Sequence, residues 1–427
     1  MNSSLLLFIV SGISFAILIL LFKKSILEFG VFFCSSIYFG IAIACSFYAG
    51  MESFSISGGG LPEMYVGSVI ALPVGQLFLA AAVSVTLGGL VGRLLLDALG
   101  LGKTPPNRTQ FSSEAIAINS NRGFKSFGLF FYVIYFSQTF PDLISRDVYL
   151  FIEPGSVIGT MRYISPLIGV LSIGFMRYKY SPFLILLFFF SFFNESALNS
   201  RNAPALMAGF VILGFVRINR PFTKFAFLFI GAVSSYIFFL YLMFSRTNQN
   251  YGVLSLISQF SPFIENLPSQ SLASSASTVF GNFLSIIPVT YLGMQIPTPD
   301  NYLSISFNPL FGKDVGWYDI GYLFYVNPWT PSGSVAQVAG LSSVFIYLTW
   351  LLVGFLFQLN GNLMYRVSNN SYLRILSFAL PIFATLQFLQ YTLRSGMRYV
   401  YLSLLIGVLA NCVKRFNSPK QERNMSL

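Results

Sequence analysis

The sequence predicts an all-α, polytopic integral membrane protein with about eleven transmembrane helices and a large outer loop between the eighth and ninth spans. Two observations predict this class. Of the 427 residues, 55% are hydrophobic and only 9% are charged, whereas soluble domains carry about 25% charged residues. The mean hydropathy is +0.70, and the apolar residues fall into long runs, as a single membrane domain over residues 1–427 requires.

The apolar runs approach the roughly 20 residues that a membrane span needs. Four of them are short, so their ends are the least defined. The first run follows Met1 without a basic leader or a small-residue cleavage site, and we interpret it as a retained span. The eleven runs cover residues 5–22, 29–49, 67–92, 126–140, 157–175, 181–195, 203–216, 225–244, 334–358, 375–391 and 399–413.

The basic residues orient these runs, because lysine and arginine collect in cytoplasmic loops. With the N-terminus outside, 18 of the 25 Lys and Arg residues lie on the cytoplasmic side. The net charge of +11 is therefore a topology signal, and we expect no nucleic-acid partner. The inner stretch 93–125 reads as a polar connection.

The outer stretch 245–333 is too long for a simple connection. Inside it, the apolar segment Thr278–Leu292 contains Gly281 and Pro288, which predicts an interfacial or re-entrant helix. The part from Asp300 to Tyr325 is rich in Tyr, Trp, Asn and Asp. That mixture suits stacking on sugar rings, and it equally suits an aromatic belt at the lipid headgroups.

Several kinds of chemistry are excluded or disfavoured. Histidine is absent, which removes His general bases, Ser-His-Asp triads and His metal ligands. The three cysteines, Cys34, Cys45 and Cys412, form no Cys-x-x-Cys motif, so we expect no disulfide framework and no thiolate metal site. We expect neither a metal nor a cofactor.

Arginines on the outer side are the first candidate binding residues. A positive-inside protein has no topological reason to keep them there, and an arginine without a partner is costly in a membrane. Guanidinium groups bind phosphate oxygens bidentately and stay charged, so the cluster suits a lipid-linked diphosphate. Snorkelling to headgroups and structural salt bridges are the alternatives. The candidates are Arg162, Arg201, Arg246, Arg394 and Arg398.

Outer carboxylates are the candidate bases. A glycosyl diphosphate carries a good leaving group, so transfer to a sugar hydroxyl needs charge stabilisation on the diphosphate and a base on the acceptor. Arginines supply the first and one carboxylate the second. The sequence leaves open which of the outer acids serves. The candidates are Glu195, Asp142, Glu153 and Asp319.

The chain resembles the O-antigen polymerases of the Wzy type, the oligosaccharide repeat-unit polymerases. The resemblance rests on size, span number and late outer loop, on Asn199-Ser200-Arg201-Asn202-Ala203, and on Asn327-Pro328-Trp329-Thr330 before Gly340. It implies a bacterial inner-membrane glycosyltransferase with a periplasmic active site. This enzyme would join undecaprenyl-diphosphate-linked repeat units into O-antigen or capsule-type polysaccharide, with a flippase and a chain-length regulator as partners. By the match, Arg201 would contact the diphosphate.

Three rival functions remain in view. A transporter or flippase of lipid-linked oligosaccharides would also explain the spans and the arginines, although charges concentrate on one face and the two halves are not alike. The O-antigen ligases resemble the chain in chemistry but look to depend on a histidine in the outer loop. A lipid-sugar glycosyltransferase would use paired acids in the first outer loop, which offers Glu52 and Glu63 without such a motif.

Overall fold

The structure is a computed structural model. It describes residues 3–22, 28–51, 55–58, 61–65, 67–100, 113–147, 157–176, 181–200, 202–217, 220–245, 251–266, 285–310, 312–327, 330–366 and 371–417. Helices dominate these residues because a backbone in lipid must satisfy its own hydrogen bonds. The single membrane domain expected from the sequence packs as two compact units, residues 1–107 with 280–427 (unit 1) and residues 108–279 (unit 2).

Helices coincide with all eleven apolar runs. The first eight are α1 (Ser3–Phe22), α2 (Phe29–Ala49), α3 (Ser68–Ala98), α4 (Ser113–Ile144), α5 (Val157–Met176), α6 (Pro182–Ala197), α7 (Asn202–Arg217) and α8 (Pro221–Ser245). They are followed by α9 (Val253–Asn266), α10 (Ile286–Gly293), α11 (Tyr302–Phe307), α12 (Trp317–Ile320) and α13 (Ser334–Ala339). The chain then forms α14 (Ser343–Arg366), α15 (Ser371–Gln390) and α16 (Leu393–Asn417).

Seven helices in the described part of the chain are long and apolar enough to cross a membrane: α1, α2, α3, α4, α8, α14 and α16. Shorter apolar helices lie in α5, α6, α7 and α15. The coarse prediction, an all-α membrane protein, is therefore confirmed. Small β-hairpins are an addition to it: β1 (Ser55–Gly58) pairs with β2 (Leu61–Tyr65), and β3 (Tyr325–Asn327) pairs with β4 (Thr330–Pro331).

Two sequence boundaries need correction. The inner stretch 93–125 is not simply a connection, since α3 runs to Ala98 and α4 begins at Ser113. Charged and polar side chains do not end a helix, so both helices extend beyond the apolar runs 67–92 and 126–140. The ninth run is also divided, because α13 ends at Ala339 and α14 starts at Ser343. At the break, a Cβ on Gly340 would lie 2.4 Å from the Thr298 hydroxyl oxygen.

Close glycine contacts set the helix directions in unit 1. Val31 and Cys45 of α2 lie against Gly89 and Gly75 of α3, so these helices are antiparallel.

The helices α3 and α14 run parallel, because Gly88 lies against Leu351 and Gly92 against Gln358. The core of unit 1 includes the fully buried Trp350, whose indole meets the ring of Tyr38 edge-on at 5.1 Å.

The short helix α13 is enclosed by α3, α10, α14, α15 and α16. Its residues Ser334–Val338 are buried, and the Ser334 hydroxyl donates to the Phe388 carbonyl of α15 at 2.6 Å. Of the segment Thr278–Leu292, which the sequence predicts to be an interfacial or re-entrant helix, the part from Ile286 is helical and forms α10, while residues 278–284 lie outside the described ranges. The helix α10 packs against α3.

The five helices α4 to α8 of unit 2 alternate in direction. The helices α4 and α5 are antiparallel, because Tyr132 meets Ser165 and Phe124 meets Phe175. The helix α6 runs parallel to α4, with Gly128 against Leu187 and Phe136 against Phe193, and antiparallel to α7, with Phe188 against Phe210 and Glu195 against Asn202. The pair α7 and α8 is also antiparallel, as shown by contacts of Gly214 with Phe227 and of Val211 with Gly231.

Candidate functional site

A buried carboxylate, Glu195 near the end of α6, is the centre of the candidate site in unit 2. Its exposed fraction is 2%. The side-chain amide of Asn194 donates to Oε1 at 3.1 Å and that of Asn202 donates to Oε2 at 3.0 Å. The Ser200 side chain also hydrogen-bonds to the carboxylate. Because a carboxylate offers about four acceptor sites, these three donors leave capacity for about one more.

The polar gap between α6 and α7 folds as a tight turn that carries these donors. The Leu198 amide donates to the Asn194 carbonyl at 3.0 Å, and the Ser200 amide donates to the Glu195 carbonyl at 2.8 Å. Asn199 takes a left-handed conformation with φ of +50°, which asparagine tolerates better than most residues. Pro204 then sits in the first turn of α7, where its missing N–H costs little.

Ser165 of α5 links the carboxylate to α4. Its hydroxyl shares a hydrogen bond with the Tyr132 hydroxyl at 3.1 Å and accepts one from the Asn194 amide at 3.0 Å. Its carbonyl accepts from the Ser191 hydroxyl at 2.7 Å. A Cβ on Gly169 would lie 2.5 Å from the Ser191 hydroxyl oxygen. Glycine at this position therefore lets α5 and α6 approach closely enough for the network to form.

Two arginines bring positive charge to the same place. Arg162, half-buried on α5, attracts the Glu195 carboxylate and also acts on the Tyr135 hydroxyl. Arg146 is buried just after α4, where its Nη1 donates to the Asp142 carbonyl at 3.1 Å. Arg146 also acts electrostatically on Tyr135. The tyrosine hydroxyl therefore lies in the field of two guanidinium groups and one carboxylate.

The main chain fixes Arg146. Its amide donates to the Tyr251 carbonyl at 3.0 Å and its carbonyl accepts from the Tyr251 amide at 2.9 Å. The guanidinium carbon lies 5.8 Å from the centre of the Tyr251 ring, within the range of a cation–π contact. The segment after α8 thus helps to hold the charge at the site.

The Tyr135 hydroxyl and Asn194 Oδ1 make no hydrogen bond of good geometry within the described residues, but the two side chains act on each other as hydrogen-bond partners. Both residues are fully buried. Leaving a buried polar atom unpaired costs about 1–3 kcal/mol, so this mutual contact offsets part of the cost of burying them.

In unit 1, Arg394 at the start of α16 is buried, with 2% exposure, and faces main-chain carbonyls. Its Nη1 donates to the carbonyls of Ile305 and of Asn308, the latter at 3.0 Å, and its Nη2 donates to that of Leu310. This geometry fixes the chain after α11. Arg398, one turn along, is exposed.

The predicted residues are thus only partly brought together. Arg162 and Glu195 share the cluster in unit 2, and Asp142 joins it through its carbonyl. Arg394 and Arg398 lie in unit 1 with Asp319, which is exposed on α12. Three further predicted residues lie outside the described ranges: Arg201, Arg246 and Glu153.

Residues that sequence reasoning missed complete the cluster. The missed residues are Tyr132, Tyr135, Arg146, Ser165, Asn194 and Asn202. A signal was available for the tyrosines, since Tyr132, Tyr135 and Thr139 recur on one face of α4 at helical spacing. Within the described residues, no group of three or more Cys, Asp or Glu residues is placed to hold a metal ion.

Comparison of the chain with protein-family models, with curated proteins and with solved structures gives no match.

Proposed function

We propose that the chain is a membrane glycosyltransferase that polymerises oligosaccharide repeat units linked to undecaprenyl diphosphate. The product would be an O-antigen or capsule-type polysaccharide. The observation that carries the proposal is the cluster in unit 2, where the Tyr135 hydroxyl lies in the field of Arg162, Arg146 and Glu195.

The charge of this cluster favours an anionic ligand. At the Tyr135 hydroxyl two guanidinium groups act against one carboxylate, and this local field favours an anion. A diphosphate headgroup would supply that negative charge, and charge-assisted bonds to phosphate are the strong kind. The Tyr135 hydroxyl, in the field of both arginines, would donate to the same headgroup.

The reaction assigns a role to each group. The acceptor hydroxyl loses its proton to Glu195 as its oxygen bonds to the anomeric carbon of the donor sugar. The bond from that carbon to the diphosphate breaks, and the diphosphate leaves with the electron pair. The arginines stabilise the charge that develops on the leaving group. The Asn194 and Asn202 amides orient the Glu195 carboxylate. The incoming hydroxyl would donate to the acceptor site that remains on its oxygens.

Helix directions support eleven crossings. In unit 1, α3 and α14 run parallel, so an odd number of crossings must separate them. In unit 2, five helices alternate, which supplies an odd number. The excess of basic residues at the other helix ends supports the placement of the Glu195 turn on the periplasmic side of a bacterial inner membrane. A flippase would supply the substrate from the cytoplasm, and a chain-length regulator would act with the chain.

The test is polymerisation by purified protein given the lipid-linked repeat unit alone. We expect Glu195→Gln and Arg162→Ala to reduce polymer formation at least about 100-fold, since one general base or one charge-stabilising group is worth roughly this much. Matched controls change the same residue types elsewhere in unit 2. They are Glu265→Gln, at an exposed carboxylate of α9, and Arg220→Ala, at an exposed arginine.

A specific observation also favours a transporter. A buried carboxylate beside an arginine inside a helical bundle is typical of translocation routes. The two functions separate in the same assay, because only an enzyme elongates the oligosaccharide. If the purified chain makes no polymer but moves the lipid-linked unit across proteoliposomes, the polymerase proposal is wrong.

A further inference from the structure

A second surface, in unit 1, has the features of a sugar-binding platform. It lies on the segment from Gly312 to Tyr325, which forms a 3-10 turn, α12, a second 3-10 turn and the start of β3. The inner side of this segment is an aromatic stack. Trp317 lies parallel to Phe324 with ring centres 6.1 Å apart, and Tyr302 packs on Phe324 at 4.8 Å.

Glycines let the aromatic rings lie directly on the main chain. A Cβ on Gly321 would be 2.9 Å from the Trp317 ring nitrogen, and one on Gly312 would be 3.3 Å from Trp317 and 3.5 Å from the Tyr318 ring. Gly316, just before α12, has φ of +72°, a conformation that favours glycine. The shape of the segment is therefore built into its sequence.

Contacts from α16 and α13 hold the platform in place. Arg394 lies over the Trp317 ring, 5.8 Å from its centre, while its donors bind carbonyls after α11. The Tyr401 hydroxyl donates to the Phe307 carbonyl. On the other side, the Tyr302 hydroxyl donates to Gln337 of α13. A surface fixed from two sides loses little conformational entropy when it binds a ligand.

The outer side of the same segment carries polar aromatics. Tyr318 is 39% exposed and Tyr322 is 68% exposed, and the exposed Asp319 lies between them in sequence. The lipid-compatible face of α8 differs, since its most exposed aromatics are Phe222 and Phe225. A carboxylate is costly to bury in lipid, so we expect the face that carries Tyr318, Asp319 and Tyr322 to be in contact with water.

We propose that Tyr318, Asp319 and Tyr322 bind the glycan of the acceptor substrate. Tyrosine rings offer flat apolar faces with a polar hydroxyl, which fit the C–H faces and hydroxyls of a pyranose. The carboxylate accepts hydrogen bonds from sugar hydroxyls. Only the identification of this glycan as that of the acceptor rests on the proposed function. The platform itself depends only on unit 1.

The test measures binding of a free glycan to the full chain in lipid nanodiscs. The probe is the oligosaccharide released by mild acid from the lipid-linked repeat unit of the producing organism. Quenching of tryptophan fluorescence reports binding, since Trp317 underlies the platform. We expect Tyr318→Ala with Tyr322→Ala to weaken binding at least about tenfold, because each substitution removes an aromatic face on which a sugar ring packs. Tyr347→Ala, at an exposed tyrosine of α14, should bind as the unaltered chain does.

A chemical-protection measurement keeps the inference testable if the double variant does not fold. In a Cys412→Ser background, Tyr322→Cys should react with a membrane-impermeant maleimide, and the oligosaccharide should slow that reaction. Absence of reaction would place the segment in lipid, as an aromatic belt, and would overturn the inference. Reaction without protection by the oligosaccharide would overturn it too.

The failure of this inference differs from failure of the proposed function. If polymerisation depends on Glu195 but the tyrosine variants bind glycan normally, the platform is wrong and the function stands. If the chain binds glycan through the platform but makes no polymer, the function is wrong and the platform stands.

Discussion

The crossing of α3 and α14 depends on two reciprocal glycines. A Cβ on Gly88 of α3 would lie 2.0 Å from the Leu351 carbonyl oxygen, and one on Gly354 of α14 would lie 2.1 Å from that of Val85. In each case the atom that it meets is main chain, which cannot rotate away. Small residues let membrane helices approach in this way.

We predict that Gly88→Ala destabilises unit 1. The new methyl group would be about 1.4 Å closer to the Leu351 carbonyl oxygen than an ordinary contact of 3.4 Å allows. The helices must therefore separate by about that distance, and overpacking of this kind costs about 1–3 kcal/mol. Adding Gly354→Ala should cost less than its own single effect, because helices already separated at one point have room at the next.

The assay is the free energy of unfolding in mixed micelles, titrated with denaturing detergent. Gly40→Ala is the matched control, because a Cβ at this exposed position in α2 meets nothing within 4 Å. It should stabilise the protein by about 0.5–1 kcal/mol, since alanine is the better helix former. If Gly88→Ala is as stable as Gly40→Ala, the close crossing of α3 and α14 is wrong.

Three further predictions concern fixed polar contacts. Arg394→Ala should speed amide hydrogen exchange over residues 302–310, because three carbonyls lose their donors, whereas Arg398→Ala should leave exchange there unchanged. Burial raises the pKa of Tyr302, so stability should fall as pH rises through about 10, and Tyr302→Phe should flatten that slope in alkaline unfolding measurements. The Glu28 carboxylate is buried and accepts a hydrogen bond from Arg93 at 3.1 Å, so Arg93→Ala should lower the free energy of unfolding by about 1–2 kcal/mol. The loss should be larger at higher pH, because burial raises the pKa of Glu28 and the ionised form is the one left without its partner. Glu28→Gln should restore stability in the Arg93→Ala background.

The helices could be predicted because a backbone that crosses a membrane must satisfy its own hydrogen bonds. A run of about 20 apolar residues has one low-energy backbone, so each of the eleven runs has its helix. The exceptions are informative. The sequence predicts one ninth span over residues 334–358, and this range includes α13 (Ser334–Ala339). Its separation depends on the contact of Gly340 with Thr298, a long-range contact that periodicity does not contain.

The types of residue in the candidate site could be predicted from the sequence, but the particular residues that form it could not. Polar and charged residues inside apolar runs identified Glu195 and Arg162. Arg394 belongs to the same class by sequence, yet its guanidinium binds backbone carbonyls 84–89 residues away. Nothing local to α16 distinguishes these two kinds of arginine. Which carbonyls lack donors is decided by the tertiary fold.

The most direct measurement of the central claim is release of undecaprenyl diphosphate by the purified chain supplied only with the lipid-linked repeat unit. We predict one undecaprenyl diphosphate for each new glycosidic linkage, and loss of both products together in Glu195→Gln and Arg162→Ala. Unchanged release and polymer length in those two variants, with the protein folded, would contradict the assignment of the buried cluster in unit 2 as the active site.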